Sequence, residues 1–383
     1  MRRRDGYILT ELGNESFLVP YGQNVADRYR GISLNETGIL LWQFLEQDRT
    51  LAELAELLAQ AIDDSEITAS DLEEDIKVFL EPLSLMGMIE EDETSTVSNL
   101  PLCRTLTIAG TTVALHGSED FFQLSEVDAF DCPVSDHPDL TVDVMVGYPA
   151  FSTNGTLLIR NNVMHALFDG ETYTLLFPDF KQVREARISA NGSRAWVWLN
   201  TALDQDGRIE LFHTLRHIYL LFAQHRGIFA LHSVSLLYEG KAWLFSGHSG
   251  MGKSTHTAMW NELYQTPILN GDLNLITFSE DDVPQVKGLP WCGTSGISTA
   301  GTWPLGGIVL LGRAEKDHCV PLSDGQKALQ VCQRLISPVW TADMMRTNLH
   351  FSDQLTGQIP VFKLLCTKEH SAVETIKQQI DTI

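Results

Sequence analysis

The sequence has no long apolar run, no Cys-x-x-Cys pair and few basic residues for its length. No stretch approaches the roughly 18 unbroken apolar residues of a membrane span, so a soluble chain is expected. The opening segment MRRRDGYILT lacks the apolar stretch of a secretory signal peptide, which argues against export. The six cysteines are scattered singly, which argues against a zinc ribbon, a redox motif or a disulfide framework and favours a reducing cytoplasm.

Acidic residues dominate the charge of the chain. The sequence has 27 Lys and Arg against 50 Asp and Glu, a formal net charge of −23. A field of that sign repels nucleic acid and anionic lipid, so neither nucleic acid nor a membrane is expected as a partner. Most of this acidity is interpreted as a means of keeping the protein soluble.

The length of 383 residues exceeds what one hydrophobic core supports, so two or three domains are expected. Residues 91–100, EDETSTVSNL, change abruptly to polar composition and predict an exposed linker. The predicted division is a domain at 1–92, a linker at 93–100 and a second domain at 101–383. Within the second domain, 101–210 are predicted to be rich in β-strands, and 211–383 are predicted to form its core. The fold class is therefore α+β or α/β.

The first ninety residues predict two or three strands followed by three helices. The alternating runs GYILT and SFLVP predict strands. Apolar residues then recur at helical spacing in three segments, for which Asn35, Thr50 and Ser70 are the predicted starts. Such an arrangement is typical of a small winged-helix-like domain.

The segment GISLNETGILLWQFLEQDRTLAELAELLAQ, followed by LEEDIKVFLEPLSLMGMIEED, resembles the PqqD family of peptide-recognition domains. The resemblance covers roughly residues 6–92. It implies that the domain binds the leader of a precursor peptide as an added strand, between its third strand and third helix. The groove residues implied by this resemblance are Tyr29, Arg30, Gly31, Ile32, Asp75, Lys77, Val78 and Phe79.

The alternative for this segment is a DNA-binding winged helix, and its charge argues against that. Residues 1–93 contain seven Lys and Arg against 21 Asp and Glu, a balance of −14. A nucleic-acid-binding domain is expected to carry a basic surface instead.

The next segment predicts a largely β half-domain that ends in a helix. Short strand-like runs such as RTLTIAG, LTVDVMVGY and RAWVWLN are separated by Gly, Asn, Asp and Pro. Residues 208–227 have helical periodicity and end at Gly227. His213 and His217 of this helix have metal-ligand spacing, but no glutamate follows the first histidine as in zinc proteases, so a metal site is not favoured.

The segment FSGHSGMGKSTHT contains the pattern G-x-x-x-x-G-K-[ST]. The strand-like run AWLFS precedes it and TAMWNELY follows it with helical character. Glycines let backbone N–H groups converge on a phosphate, the helix N-terminus adds a partial positive charge, and the lysine adds a full one. The predicted nucleotide-binding residues are Gly247, His248, Ser249, Gly250, Met251, Gly252, Lys253, Ser254 and Thr255, with Ser254 also a ligand of Mg²⁺.

The strand before this loop predicts a histidine at its mouth. If Glu239 and Gly240 form a two-residue hairpin turn, Tyr238 pairs with Lys241 and the ladder places His232 opposite Gly247. There the imidazole is able to contact a transferred phosphoryl group or an incoming hydroxyl.

A second acidic signal follows at PILNGDLNLITF. Asp272 comes at the end of a short apolar run, where a carboxylate completes the coordination of Mg²⁺ together with Ser254 and the phosphates. The alternative is a capped turn at Asn270-Gly271-Asp272.

The residues LHSVSLLYEGKAWLFSGHSGMGKST, then ILNGD and GLPWCGTSG, together resemble the HPr kinase/phosphorylase-like family. The resemblance covers roughly 101–383 and implies the phosphoenolpyruvate-carboxykinase type of nucleotide fold with a mixed sheet, in which residues 211–383 are the nucleotide-binding core. It also implies ATP-dependent phosphorylation of a serine or threonine hydroxyl, with His232, Lys253 and Asp272 as catalytic residues. ATP and Mg²⁺ are the cofactors that it implies.

One position departs from that family. The family usually has two adjacent aspartates where this chain has Gly271 and Asp272. Four alternatives stay open: His232 takes the hydroxyl proton, Asp272 serves both metal and hydroxyl, no strong base is needed, or the site binds nucleotide without catalysis.

The two resemblances together predict a kinase that phosphorylates a precursor peptide held by the N-terminal domain, in the biosynthesis of a ribosomally made peptide. The alternatives are a kinase of a free small molecule such as serine, and a non-catalytic, nucleotide-gated peptide escort. Arg313, Arg334 and Arg346 are candidates for charge stabilisation, although a surface role is favoured for each. The oligomeric state is left open, with a homo-oligomer among the alternatives.

Overall fold

A computed structural model describes residues 1–13, 15–22, 31–62, 68–85, 88–90, 100–147, 149 and 155–383. The chain is of mixed α and β structure, with helices packed on mixed sheets. Within these residues, none of the helices has both the length and the apolar character that crossing a bilayer demands.

The N-terminal unit consists of two small antiparallel sheets and three helices. Its strands are β1 (Arg2–Arg3), β2 (Tyr7–Leu12), β3 (Glu15–Pro20), β4 (Ile32–Leu34) and β5 (Ile89–Glu90). Its helices are α1 (Glu36–Phe44), α2 (Leu51–Ile62) and α3 (Ala69–Leu85). Strand β3 lies between β2 and β4, and β1 pairs with β5. Leu18, Trp42, Leu54, Leu58 and Ile76 form the centre of its core.

The predicted helix starts hold for two of these three helices. The Asn35 side chain accepts a hydrogen bond from the Gly38 amide at the start of α1. Thr50 and Glu53 bond each other's backbone amides before α2, which satisfies two amides at the helix start. The prediction for Ser70 is wrong, because α3 already begins at Ala69.

The second unit is an eight-stranded mixed sheet. Its strands are β6 (Leu102–Ile108), β7 (Thr111–His116), β8 (Leu140–Val146), β9 (Thr156–Arg160), β10 (His165–Phe168), β11 (Thr172–Leu176), β12 (Val183–Ser189) and β13 (Arg194–Leu199). They lie in the order β6-β7-β8-β13-β12-β11-β10-β9, with β8 parallel to both β7 and β13. Two 3₁₀ helices, Glu119–Phe122 and Ser125–Phe130, connect β7 to β8.

Helix α4 (Gln205–His225) packs against this sheet and shares a core with the third unit. Asp204 caps its start, and Gly227 follows its end with a φ of +70°, as the sequence predicts.

The third unit is a bent sheet with the glycine-rich loop at one edge. Its strands are β14 (Phe229–Tyr238), β15 (Lys241–Ser246), β16 (Ile268–Asn270), β17 (Leu273–Phe278), β18 (Pro284–Lys287), β19 (Thr302–Arg313), β20 (His318–Val320) and β21 (Val361–Cys366). Its helices are α5 (Lys253–Tyr264), α6 (Asp324–Cys332), α7 (Ala342–Gln358) and α8 (His370–Ile380), and a 3₁₀ turn spans Gly293–Ser295.

Strand pairing closes part of this sheet on itself. The order is β15-β14-β17-β18-β19-β21-β20, and β15 also pairs with β19, so five strands form a ring around an apolar core. Strands β15, β19 and β21 are mutually parallel, whereas β14 is antiparallel to β15. The carboxyl ends of the three parallel strands therefore lie at one edge, which is where the glycine-rich loop begins.

Candidate active site

The glycine-rich loop connects β15 directly to α5. Gly250 and Gly252 have φ angles of +73° and +92°, in the left-handed region that favours glycine. Left-handed residues in such a loop let backbone N–H groups converge on an anion. Helix α5 begins at Lys253, immediately after Gly252, so its free N–H groups and its dipole also face the loop. The predicted order of strand, loop and helix is confirmed.

Lys253 lies over the loop that it follows. Its Nζ donates to the Gly247 carbonyl at 3.3 Å. Partial burial lowers the pKa of Lys253, and the nearby Asp272 carboxylate opposes this effect. The ammonium group of Lys253 is thus held beside the loop, and it forms no ion pair with another of the described residues.

His232 and Asp272 meet at the mouth of the loop. The predicted pairing of Tyr238 with Lys241 is confirmed, and the ladder continues to Ser233 opposite Ser246, one step before His232 and Gly247. On its other side His232 pairs with Leu273, the residue after Asp272. The His232 Nε2 lies 3.3 Å from the Asp272 Oδ1, with about a third of each side chain exposed.

The turn that contains Asp272 is built by Asn270. The buried Asn270 Oδ1 accepts from the amides of Asp272 at 3.2 Å and Leu273 at 3.3 Å. The two predicted alternatives, a capped turn and a carboxylate at the loop, are therefore both present. The turn orients the side chain of Asp272. The hydrogen bond from His232 holds the pKa of Asp272 below its usual range, with Lys253 and Arg216 contributing, so the carboxylate is anionic at neutral pH.

Arg216 of α4 is a cation of this site that the sequence did not predict. It interacts electrostatically with Asp272, and burial lowers the pKa of its guanidinium. Its Nε is buried and has no hydrogen-bond partner among the described residues. A signal was present: Arg216 lies between the two histidines of an otherwise apolar helix stretch, where an arginine needs a partner.

A second group of cations lies on the side of the loop near β21. The Arg334 guanidinium approaches the His248 ring, with 3.0 Å between its Nη2 and the His248 Nε2, and its buried Nε has no partner in the described chain. Lys363 of β21 lies near Arg334, and burial lowers its pKa first, with Arg334 contributing. Arg313 donates to the Gly250 carbonyl. Arg313 is exposed, as predicted, although it contacts the loop, whereas Arg334 is partly buried beside the loop, so a purely surface role is wrong for Arg334.

Arg346 is the exception among the three arginines. It is exposed and forms a one-turn ion pair with Asp343 on α7, so the surface role predicted for it is confirmed. Lys253 and Arg216 thus lie near Asp272, and Arg334 lies near Lys253 and Lys363, although the whole chain carries −23. A local excess of positive charge in an acidic protein fits a phosphate ligand.

Gly271 and the segment 290–296 pack closely together. The side chain of Ser295 takes up the space beside Gly271, and its Oγ donates to the Cys292 carbonyl at 2.7 Å. Trp291 of this segment donates its Nε1–H to the Phe212 carbonyl of α4 at 2.8 Å. Gly293 lies against Asp272, where an added Cβ would come within 2.9 Å of the carboxyl group. The segment thus forms a fixed wall beside the acid.

The residues at the loop fit a magnesium ion bound with a nucleotide. Asp272 is anionic and only one of its oxygens contacts His232, and the exposed Ser254 follows the lysine of the loop. No cluster of three or more His, Cys, Asp or Glu side chains occurs in the described ranges. Mg²⁺ with a nucleotide needs fewer, because phosphates and waters complete its octahedron.

The predicted peptide groove is described in part. Tyr29 and Arg30 lie outside the described residues. Strand β4 begins at Ile32, after Gly31, and among the described strands it pairs only with β3, which leaves its other edge available for an added strand.

The helix side of that groove divides into exposed and packed residues. Asp75, Lys77 and Val78 are exposed on α3, with Val78 at 63%. Phe79 instead packs on α1, where an added Cβ at Gly38 would lie 2.9 Å from its ring. Phe79 is therefore partly committed to the core of the unit.

Comparison with known proteins finds one family. A family model described as coenzyme PQQ synthesis protein D (PqqD) matches residues 25–89. No curated protein matches the chain. The match lies within the predicted N-terminal domain and does not reach the glycine-rich loop. Residues 25–89 are thus similar to PqqD, a family of recognition domains for ribosomally made precursor peptides.

Proposed function

We propose that the chain is a kinase that transfers the terminal phosphoryl group of ATP to a serine or threonine hydroxyl of a precursor peptide. The observation that carries this proposal is the His232–Asp272 pair, held 3.3 Å apart at the mouth of a glycine-rich loop whose lysine lies over it. A phosphate loop alone only binds nucleotide. An imidazole–carboxylate pair beside it adds groups that hold a hydroxyl and accept its proton.

Each residue of the site has a role in this reaction. The loop amides and Lys253 bind the β- and γ-phosphates, and Arg216 and Arg334 add positive charge around them. Ser254 and Asp272 would hold Mg²⁺, which supplies charge neutralisation for the transferred group when bound. Residues 290–296 form a wall against one side of Asp272, so the acceptor hydroxyl approaches Asp272 from the side that this wall leaves open.

The geometry favours His232 as the proton acceptor among the alternatives that Gly271 leaves open. With Nε2–H donated to Asp272, the neutral imidazole keeps its lone pair on Nδ1. Asp272 then fixes the tautomer and stabilises the imidazolium that forms. Phosphoryl transfer through a loose transition state needs only a weak base, so one histidine is sufficient.

The PqqD domain supplies the substrate. Its leader-binding edge tethers the peptide and raises the effective concentration of the acceptor residue at the kinase site. A kinase of free serine has no need of such a domain, and the free edge of β4 is the observation that favours a peptide.

The test compares the full chain with residues 100–383, with ATP and Mg²⁺, on candidate precursor peptides and on free serine. Transfer to the peptide that drops when the first 99 residues are removed supports the proposal. Equal transfer to serine by both forms would establish the small-molecule kinase, and the absence of transfer by either form would establish the escort.

A further inference from the structure

Residues 333–341, which join α6 to α7, run alongside β14 at the active site. Leu335 of this joining segment forms an antiparallel bridge with β14, on the part of its edge that β15 leaves free. The His232 amide donates to the Arg334 carbonyl at 3.0 Å. On its other side His232 pairs with β17, next to Asp272. The joining segment therefore places Arg334 one strand spacing away from His232.

Two buried amide side chains hold the joining segment in place. Gln224 of α4 donates its Nε2 to the Pro338 carbonyl at 2.8 Å and to the Oδ1 of Asn348, on α7, at 2.7 Å. Asn348 donates its Nδ2 to the Ser337 carbonyl at 3.3 Å. The Ser337 Oγ accepts from the Ala230 amide of β14 at 3.0 Å. Gln224 and Asn348, the amide pair, thus join two helices and a strand to one short segment.

The amide pair is buried deeply enough to be rigid. Gln224 is 7% exposed and Asn348 is 0% exposed, so neither side chain exchanges its partners for bulk water. A buried polar network whose members are hydrogen-bonded favours a single arrangement. Because the bonds of the pair lead to the joining segment, they fix the backbone that leads to Arg334.

Arg334 lies among charges of its own sign. Burial is the first cause that lowers the pKa of Lys253 and of Lys363, and the charge of Arg334 lowers both further. The guanidinium contacts the His248 ring of the loop, with 3.0 Å between its Nη2 and the His248 Nε2. Like charges held together in this way repel each other until an anion binds. The backbone of the joining segment therefore has to hold Arg334 at the loop against this repulsion.

We propose that the amide pair is a positioning element of the phosphate site and acts by holding Arg334 beside the glycine-rich loop. This inference rests on the proposed function, because Arg334 needs a phosphate ligand on the loop. A charge that is already in place binds a phosphate without the free-energy cost of being moved there at each encounter. Loss of the amide pair frees the joining segment, so Arg334 moves away from the two lysines and phosphate binding weakens.

The experiment measures dissociation constants of the full chain for Mg²⁺–ATP by calorimetry. Arg334→Gln is expected to weaken binding about tenfold, because it removes a charge-assisted contact with the phosphates. Gln224→Leu is expected to weaken binding about fivefold in the wild-type background and less than about twofold in the Arg334→Gln background, because the pair acts through Arg334. Gln224→Asn, which keeps the amide but shortens its reach, is a milder second variant with the same expected direction.

Thr214→Val is the matched control. Thr214 is likewise buried on α4, and its Oγ1 donates to the Glu210 carbonyl of the same helix at 2.9 Å. It lies about 15 Å from Gln224 along the helix axis. The change removes one buried hydrogen bond far from the joining segment, so ATP affinity is expected to stay within about twofold of the wild type. Circular dichroism and denaturant unfolding check the folding of each variant.

The outcomes separate this inference from the kinase proposal. If the folded Gln224 variants keep wild-type ATP affinity, the amide pair only stabilises the fold, and the inference is wrong while the phosphate site stands. Equal weakening in the wild-type and Arg334→Gln backgrounds would show that the pair does not act through Arg334. If Arg334→Gln itself binds ATP as the wild type does, the inference fails and the assignment of the loop is unaffected. If the wild type binds no ATP, the phosphate site is wrong and the inference fails with it.

Discussion

The side chain of Ser295 lies where a side chain on Gly271 would have to point. An ideal Cβ at Gly271 would come within 1.9 Å of the Ser295 Oγ and 2.3 Å of its Cβ. The Ser295 Oγ also donates to Cys292 and accepts from the Ile297 amide, so it is fixed in place. The space that a side chain at position 271 would need is therefore filled in this chain by a residue from another loop.

This packing predicts the effect of adding a side chain at position 271. Gly271→Ala is expected to destabilise the protein by about 1–3 kcal/mol, because Ser295 has to move. In a Ser295→Gly background the same change is expected to cost clearly less, since the atoms that obstruct it are gone. Denaturant unfolding of the two single variants and the double variant measures this coupling.

Gly357 of α7 provides the matched control, because nothing lies within 4 Å of a Cβ there. Gly357→Ala is expected to be neutral or slightly stabilising. Equal costs for Gly271→Ala with and without Ser295 would contradict the close packing of the two residues.

The pairing of His232 with Asp272 predicts a change in the pH dependence of transfer. His232→Gln is expected to lower the rate of phosphoryl transfer by about 10²-fold, since it removes the proton acceptor. The hydrogen bond from His232 is the main cause of the lowered pKa of Asp272. Without it the pKa of Asp272 rises. Because His232→Gln also removes the base that has to be neutral for transfer, the acidic limb of the kcat/KM profile then depends on the Asp272 carboxyl group alone. The limb is expected to move to lower pH, since a carboxyl group loses its proton at a lower pH than an imidazole does.

Measurement of kcat/KM against pH for wild type and His232→Gln tests this point. Nucleotide affinity at neutral pH is the control and is expected to stay within a few fold, because the loop is unchanged. An unshifted acidic limb would contradict His232 as the proton acceptor.

The sequence predicted those parts of the site that depend on local order. The hairpin of β14 and β15 needs only the Glu239-Gly240 turn to set its register, and that register brings His232 to the loop. Arg216, Arg334 and Lys363 come from helix α4, the end of α6 and strand β21, and no local pattern reports that tertiary contacts join them. The fit of Ser295 against Gly271 depends in the same way on two separate loops.

Some elements of the fold likewise cannot be predicted from local sequence patterns. The sequence pattern does not predict strand β12, because charged residues interrupt its alternation. Of these, Glu185 is buried and pairs with Arg187 at 2.8 Å. The sequence pattern does not predict helix α7, because most of its residues are polar. Its buried face includes Asn348, Ser352 and Thr356. Apolar periodicity does not predict helices and strands whose buried faces contain polar residues that are hydrogen-bonded to their neighbours.

The leader-binding edge predicts a selective effect of charge on α3. Val78→Asp places a charge on the exposed face of α3, on the helix side of the predicted groove, and is expected to weaken leader binding by about tenfold. Leu12→Asp is the matched control, because Leu12 is similarly exposed at 61% but lies on β2, at the other edge of the sheet. Fluorescence anisotropy with a labelled leader that binds the wild type compares the two. Equal weakening by both changes would contradict a groove between β4 and α3.

Two buried histidines predict a loss of stability in mild acid. Burial is the first cause that lowers the pKa of His217 and of His256 to about 4, whereas an unfolded chain takes up these protons near the ordinary value of 6.5. The unfolded state therefore binds more protons as the pH falls from about 6.5 to about 4, and the free energy of unfolding decreases through this window by up to about 3 kcal/mol for each group.

Unfolding free energies at pH 7 and pH 5 measure this effect. His256→Gln is expected to reduce the difference between the two pH values, whereas His350→Gln, at an exposed position of α7, is expected to leave it unchanged. An undiminished difference in His256→Gln would contradict the neutral buried state of His256.

Mass spectrometry of a leader-bearing precursor peptide, incubated with ATP and Mg²⁺, tests the kinase most directly. Lys253→Ala removes the charge that lies over the loop, and Lys241→Ala, at the exposed start of β15, is its control. We predict that the wild type and Lys241→Ala add one phosphoryl group to a serine or threonine of the peptide and that Lys253→Ala does not. Undiminished phosphorylation by Lys253→Ala would contradict the assignment of the loop, and an unmodified peptide that binds the wild type tightly would contradict the kinase.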